Sequence, residues 1–287
     1  MRGECLATFA SYGAGRHEIR APGPSQARIS HRPLSIVLPI SPVAHKWPKR
    51  RVRSALRKRR AAVTTILPAV DAAARMAIAQ RTEMLFREAG ALREGHFLLK
   101  SGRHGDRYLE KFQVLQFPAA VSELCGYIAA RGRAADGELL VDVVAGPTTG
   151  GVILCFEVAR QLGVRGIFAE EERTPDGGAR RTFRRGFTIG PGQRVLVVDD
   201  ILTTGGSLLS MLEPIEEAGG ELLSTHVLVD RSGGTESVTS PTSGRSYPVE
   251  ALWVLDLPTW EPGGDCPGCQ TGLPLVAPGS TGAAKSA

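Results

Sequence analysis

The apolar positions of this chain fall into short blocks that alternate between strand and helix periods. The clearest block is Val195–Val198, four branched apolar residues in a row, which predicts a strand buried on both faces. Further strands are predicted at Leu139–Ala145, Val164–Phe168 and Glu221–Val229, with helices at Phe117–Ala130, Val152–Leu162 and Leu208–Ala218. Strands and helices that alternate at this spacing indicate a parallel sheet covered by helices on both faces.

The pattern before this region is different. Met84, Leu85, Ala89 and Leu92 lie on one face of a predicted helix, with Thr82 expected as its N-cap. Residues 94–110 then predict two short strands around a Ser-Gly turn, a hairpin that must pack on other elements because an isolated hairpin is marginally stable. The charged, glycine-containing stretch 169–186 predicts an exposed loop or hairpin.

Residues 1–75 lack sustained periodicity and hold fifteen Lys and Arg against three Asp and Glu. Their net charge of +12 exceeds the +6 of the whole chain, so residues 76–287 carry a net −6. This basic extension is expected to be disordered and could be a targeting peptide or a nucleic-acid arm. The favoured alternative is that translation begins at Met76 or Met84, in which case the upstream residues are not part of the protein. Residues 76–287 are expected to form one domain that binds no nucleic acid.

The five cysteines are unevenly spaced and predict no disulfide framework, and no apolar run approaches the ~20 residues that span a membrane. We therefore expect a cytoplasmic protein. Cys266-Pro-Gly-Cys269 is a lone C-x-x-C pair, and no second pair or nearby histidine completes the four ligands of a zinc site. A structural turn is favoured there over metal binding or a redox-sensitive disulfide, and His96, His104 and His226 are expected to be structural.

Candidate chemistry follows three of the predicted strands. Asp199 and Asp200 end the central strand, and the Thr-Thr-Gly-Gly-Ser turn after them leads into a helix, an arrangement that suits a phosphorylated sugar. A Walker B strand also ends in acids, but its partner G-x-x-x-x-G-K-[ST] loop is absent from the sequence. Ligands of such sheets bind beyond the carboxyl ends of the strands, so Gly146–Gly151, Asp199–Ser207 and Asp230–Arg231 are expected to converge.

The stretch V-V-D-D-I-L-T-T-G-G-S resembles the 5-phosphoribosyl 1-diphosphate (PRPP) motif of the type I phosphoribosyltransferases. Together with E-G-H-F-L-L-K-S-G-R-H, A-G-P-T-T-G-G and V-D-R, it makes Met84–Val276 similar to the bacterial orotate phosphoribosyltransferases, especially the branch with a C-terminal Cys-Pro-x-Cys. The resemblance implies the type I phosphoribosyltransferase α/β fold, a Rossmann-like parallel sheet flanked by helices with a small N-terminal hood. It also implies PRPP and orotate as substrates, Mg²⁺ held mainly through PRPP, and a homodimer in pyrimidine biosynthesis.

The same resemblance implies roles for particular residues. Asp199 and Asp200 would bind the ribose hydroxyls, and Arg231 with Thr203 would hold orotate beside Tyr108. PRPP would further contact Lys100, Thr148, Thr149, Gly150, Ile201, Leu202, Thr203, Thr204, Gly205, Gly206 and Ser207. The family's catalytic loop lysine is missing, and Arg173 is favoured over Arg180 and Arg181 as its replacement. A phosphoribosyltransferase for another base and a non-catalytic PRPP-sensing regulator are the alternatives.

Overall fold

The structure is a computed structural model that describes residues 70–99, 101–174 and 177–278. Most of the predicted basic extension and Lys100 therefore lie outside the described residues. In chain order the elements are α1 (Ala72–Glu88), β1 (Leu92–Leu98), β2 (His104–Leu109), α2 (Lys111–Leu115), α3 (Pro118–Arg131), β3 (Val143–Pro147), α4 (Gly150–Leu162), β4 (Arg165–Arg173), β5 (Ala179–Phe183), β6 (Arg194–Leu202), α5 (Gly206–Glu217), β7 (Glu221–Asp230), β8 (Ser237–Thr239), β9 (Ser246–Val254), β10 (Thr259–Trp260), α6 (Pro267–Gln270) and β11 (Leu275–Val276).

A seven-stranded sheet forms the centre, in the order β5-β4-β3-β6-β7-β9-β8. Its five inner strands pair in parallel, and β5 and β8 pair antiparallel at the edges. Successive residues of β6 enter opposite apolar cores, with Leu196 and Val198 in one and Val195 and Val197 in the other. This period of two confirms the prediction of a strand buried on both faces.

A second, four-stranded sheet in the order β10-β2-β1-β11 forms the hood. Its β1–β2 hairpin is the one predicted from residues 94–110. The outer strands come from the C-terminal segment, where β11 pairs in parallel with β1 and β10 pairs antiparallel with β2. The sequence did not predict these two-residue strands, which are too short to show a period.

Several predicted boundaries are wrong. Strand β6 continues through Asp199 and Asp200 to Leu202, and β4 continues to Arg173. Helix α1 begins at Ala72, where the Asp71 side chain accepts the N–H of Ala74 at 2.7 Å, and Thr82 lies inside the helix, with its hydroxyl donating to the Ile78 carbonyl. The alanine-rich first turns favour a helix without showing apolar periodicity, so the start was not visible. Strand β3 begins four residues later than expected, because Leu139 pairs only in an isolated bridge with Arg133.

The other predicted helices agree with α3, α4 and α5 to within two residues at each end. The charged stretch 169–186 is largely the β4–β5 hairpin. Within the described ranges, no helix is both long enough and apolar enough to cross a membrane.

Candidate active site

Three turns meet at one edge of the central sheet, as predicted. They follow β3, β6 and β7, which are neighbours in the sheet, so their carboxyl ends lie side by side. The backbone N–H of Arg231 donates to the Leu202 carbonyl at 2.8 Å, which joins the end of β7 to the end of β6. Gly150 lies directly against Asp200, which joins the turn after β3 to the same place.

The acid pair at the end of β6 is almost completely buried, with Asp199 5% and Asp200 3% exposed. Asp199 accepts the backbone N–H of Asp200 at 2.8 Å, and Asp200 accepts that of Ile201 at 2.7 Å. Burial, followed by the charge of Asp200, raises the pKa of Asp199 to about 6. The crevice therefore holds two fixed carboxylates that are poorly solvated and can accept hydrogen bonds from a ligand's hydroxyls.

Lys111 is a member of the site that sequence reasoning missed. Its Nζ lies 2.8 Å from Asp200 Oδ1 and 2.7 Å from Asp200 Oδ2. Lys111 is the first residue of α2 and comes two residues after Leu109, the last residue of the hood hairpin, so its contact with Asp200 links that hairpin to β6. Glu110 and Lys111 belong to no recognised motif that includes the acid pair, so nothing in the sequence predicted this contact.

The Gly146–Gly151 turn approaches β6 too closely for larger residues. A Cβ on Gly150 would overlap Asp200 Oδ2, and one on Gly146 would lie 2.5 Å from the Gly151 carbonyl oxygen. The Thr148–Thr149 peptide between them is cis. Gly150 is the first residue of α4, so a helix start, which favours an anion, lies beside Asp200.

The Thr203–Ser207 turn leads from β6 into α5. Gly205 is the N-cap of α5 and has a φ of +80°, a left-handed conformation that glycine adopts without strain. A cavity of about 290 Å³ opens beside Thr203 and Thr204, toward the loop after β7. Asp230 holds that loop by accepting the N–H groups of Ser232, Gly234 and Thr235 at 2.6 to 3.1 Å.

Arg231 and Tyr108 lie close enough to affect each other's ionisation. Burial lowers the pKa of Arg231, whose Nε is buried and makes no hydrogen bond within the described residues. Burial raises the pKa of Tyr108, and the charges of Glu110 and Arg231 act on it in opposite directions. The Tyr108 ring packs on Phe97 at 5.7 Å. An unused guanidinium donor beside an aromatic ring suits a planar anion.

The β4–β5 hairpin carries the candidate loop cations. Arg173 lies exposed at the end of β4, opposite Ala179. Arg181 is nearly buried instead, and its guanidinium donates to the Thr148 hydroxyl at 2.7 Å. Arg180 lies 3.5 Å from Glu172. Arg181 is therefore the cation of this hairpin that contacts the turn after β3, whereas the sequence analysis favoured Arg173.

The C-terminal cysteine pair lies beside two histidines, a contact that the sequence analysis did not expect. His96 and His104, from the two hairpin strands of the hood, lie against Cys266 and Cys269, although about 170 residues separate them along the chain. His226 does behave as a structural residue. It is buried on β7, 2.9 Å from the Ser224 hydroxyl, and burial lowers its pKa to about 4.

Residues 114–258 match the phosphoribosyl transferase domain family. The orotate phosphoribosyltransferase of Pelotomaculum thermopropionicum is 45% identical over 196 residues, which cover 68% of this chain and 94% of that protein. That of Caldicellulosiruptor bescii is 42% identical with the same coverage. The crystal structure of orotate phosphoribosyltransferase from Aeropyrum pernix is 24% identical, with a TM-score of 0.48, and covers 61% of this chain and 93% of that one.

The parallel sheet, the hood and the three converging turns, with the domain match, define a phosphoribosyltransferase. Identity above 40% over nearly the whole length of the curated relatives is more specific than the fold. The chain belongs to the orotate phosphoribosyltransferase family.

Proposed function

We propose that this protein transfers the 5-phosphoribosyl group of PRPP to orotate, giving orotidine 5′-monophosphate and diphosphate in pyrimidine biosynthesis. The observation that carries the proposal is the position of the buried acid pair Asp199–Asp200. It lies between the glycine turn after β3 and Arg231 after β7, so a ribose, a diphosphate and a planar acid can share one crevice. The relatives named orotate phosphoribosyltransferase support the same reaction.

The chemistry requires positioning and charge more than proton transfer. Breaking the bond between C1 of the ribose and the diphosphate develops positive charge on the sugar and negative charge on the leaving group. Orotate is already an anion with a nucleophilic ring nitrogen, so no strong general base is needed. Asp199 and Asp200 accept hydrogen bonds from the ribose hydroxyls and place negative charge near the developing cation.

The two glycine-containing turns supply donors for the phosphates. The N–H groups of Thr203–Ser207, at the start of α5, bind the 5′-phosphate, together with the neighbouring Ile201 and Leu202. Those of Thr148–Gly150, at the start of α4, bind the diphosphate. Arg231 pairs with the orotate carboxylate, and Thr203 contacts the ring. The role of Lys100 on a PRPP phosphate remains an expectation from the family resemblance.

The residues of the crevice fit Mg²⁺ bound together with PRPP. Carboxylate and phosphate oxygens are the hard ligands that this ion prefers, and it usually keeps several waters. Because Lys111 already contacts both oxygens of Asp200, the protein contributes few direct ligands, and PRPP oxygens and water hold the ion. When bound, Mg²⁺ offsets the negative charge of the diphosphate.

The oligomer and the compartment are also proposed. An apolar face between α2, α3 and α4 is lined by Leu115, Pro118, Val121, Ile153 and Phe156, and Phe156 is 68% exposed. We propose that a second copy of the chain covers this face in a homodimer. All four cysteines of the described residues are free thiols, which supports a reducing cytoplasm.

The decisive experiment is a product assay with PRPP and Mg²⁺ and with orotate, uracil, adenine or xanthine as the acceptor. We expect orotidine 5′-monophosphate from orotate and negligible product from the other bases. Turnover of another base with none of orotate would refute the substrate assignment. PRPP binding without turnover of any base would favour the non-catalytic regulator.

A further inference from the structure

Four side chains that can bind a metal converge on the hood. His96 comes from β1 and His104 from β2, while Cys266 is the N-cap of α6 and Cys269 lies within that helix. One ligand atom from each lies within 4.8 Å of all the others. His96 and His104 are each 5% exposed and Cys266 is 1% exposed, so the cluster is largely shielded from solvent. No part of the proposed reaction uses these residues.

Three sulfur–nitrogen distances in the cluster match those of a tetrahedral zinc site. Zn–S bonds of about 2.3 Å and Zn–N bonds of about 2.0 Å place neighbouring sulfur and nitrogen ligands about 3.5 Å apart. Cys266 Sγ lies 3.4 Å from His96 Nε2, and Cys269 Sγ lies 3.7 Å from the same atom and 3.3 Å from His104 Nδ1. The two ring nitrogens, 2.8 Å apart, would separate by about 0.5 Å to hold the ion.

His96 is already oriented as a metal ligand. Its Nδ1 lies 2.9 Å from the Leu273 carbonyl oxygen, which can only accept, so Nδ1 carries the proton. The other ring nitrogen, Nε2, faces the two sulfurs and His104. A backbone carbonyl that fixes the tautomer in this way is the usual second partner of a metal-bound histidine.

The loop between the cysteines is shaped to the same ring. A Cβ on Gly268 would overlap Cγ and Cδ2 of His96, so glycine is required for the loop to reach the cluster. The Gly268 carbonyl then accepts the N–H of Leu273, whose own carbonyl holds His96. The C-x-x-C loop and the histidine thus form one packed unit, which an isolated surface turn would not need.

We propose that His96, His104, Cys266 and Cys269 bind one Zn²⁺ ion as a structural site that fastens the C-terminal segment to the hood. Two cysteine and two histidine ligands are a zinc set, and two thiolates balance the ion's charge, which lowers the cost of burying it. All four ligands come from the protein and leave no open position, so the site is structural. The ion joins β1 and β2 to the segment that supplies β10 and β11.

The first test is the metal content of the full-length protein, purified with a reductant and without chelators. We expect about one zinc per chain, since a closed site has one ion and four protein ligands. Cys269→Ser should lower this content several-fold, whereas Cys125→Ala and Cys155→Ala, which remove buried thiols from the central domain, should leave it unchanged. Equal zinc in the wild-type protein and Cys269→Ser would overturn the proposal.

A second test uses only the wild-type protein, so it remains decisive if a variant fails to fold. Metal is removed with a chelator, and Co²⁺ is added back under reducing conditions. We expect the intense visible absorption of tetrahedral cobalt with a thiolate charge-transfer band, saturating at one equivalent and reversed by Zn²⁺. Absence of the spectrum, with two reactive thiols or a Cys266–Cys269 disulfide in its place, would overturn the site. Neither test depends on enzyme activity.

Discussion

The buried acid pair predicts that the ligand-free protein loses stability as the pH rises and Asp199 ionises in its buried position. Its pKa is raised to about 6, whereas an aspartate of the unfolded chain titrates near 4. A group whose pKa is raised on folding contributes stability that is complete below the unfolded value and is lost as the pH rises through the folded value. Asp199 therefore stabilises the fold most in acid and contributes nothing at about pH 8.

The size of this effect follows from the two pKa values. A difference of about 2 units corresponds to about 3 kcal/mol over the whole titration, at 1.36 kcal/mol per unit. When the pH falls from about 8 to about 5 and the carboxyl is protonated, the free energy of unfolding of the wild-type protein should rise by about 1.4 kcal/mol, half of the total. Asp199→Asn keeps the oxygen that accepts the Asp200 N–H but cannot titrate, so it should lack this component.

The assay is urea unfolding of both proteins, without PRPP, across this range. We expect Asp199→Asn to be more stable than wild type at pH 8, with the difference shrinking by about 1.4 kcal/mol toward pH 5, while turnover is lost. Asp142→Asn is a matched control. Burial opposes ionisation of Asp142, but its hydrogen bonds with Arg194 outweigh burial and lower its pKa, so this carboxyl stays ionised in both the folded and the unfolded protein across this pH range. A stability difference that does not change with pH would refute the raised pKa of Asp199.

Three further predictions concern the crevice and the apolar face. Arg231→Ala should raise the KM for orotate about ten- to hundred-fold, because a charge-assisted hydrogen bond is lost, and should change the KM for PRPP little. Equal increases for both substrates would contradict the assignment of Arg231 to the orotate site. Arg181→Gln should lower kcat more than Arg173→Gln, since Arg181 contacts Thr148; the reverse order would restore Arg173 as the loop cation. Phe156→Glu should give a monomer by sedimentation, and an unchanged dimer would place the interface elsewhere.

The sequence predicted the parts of the fold that have strong local signals. The apolar run Val195–Val198 and the glycine turn Gly146–Gly151 predicted central strands of the sheet. They also predicted the crevice, because the carboxyl ends of parallel strands lie at one edge of a sheet. Elements without such signals were missed. Strands β10 and β11 are two residues long and are defined by their partners in the hood, not by any period of their own.

Long-range contacts account for the errors in the sites. Lys111 meets Asp200 across 89 residues, and His96 meets Cys266 across 170. Metal signatures read along a sequence depend on ligands that are close in the chain, so two histidines on separate strands and a distant cysteine pair match none. Which hairpin arginine contacts the turn after β3 likewise depends on the register of β4 and β5, which the charged sequence does not specify, and the catalytic role of Arg173 stays a prediction.

The way in which the hood is assembled has a consequence for the growing polypeptide. His96 of β1 pairs with Leu275 of β11, 179 residues later. At about 5–20 residues per second, a ribosome needs roughly ten to thirty-five seconds to synthesise the chain between them. For most of that interval both outer edges of the nascent hairpin are uncovered, while the strands of the central sheet emerge in turn and can pair with one another. Emergence of the segment that carries β11, not emergence of the N-terminal half, should set the moment when the hood closes.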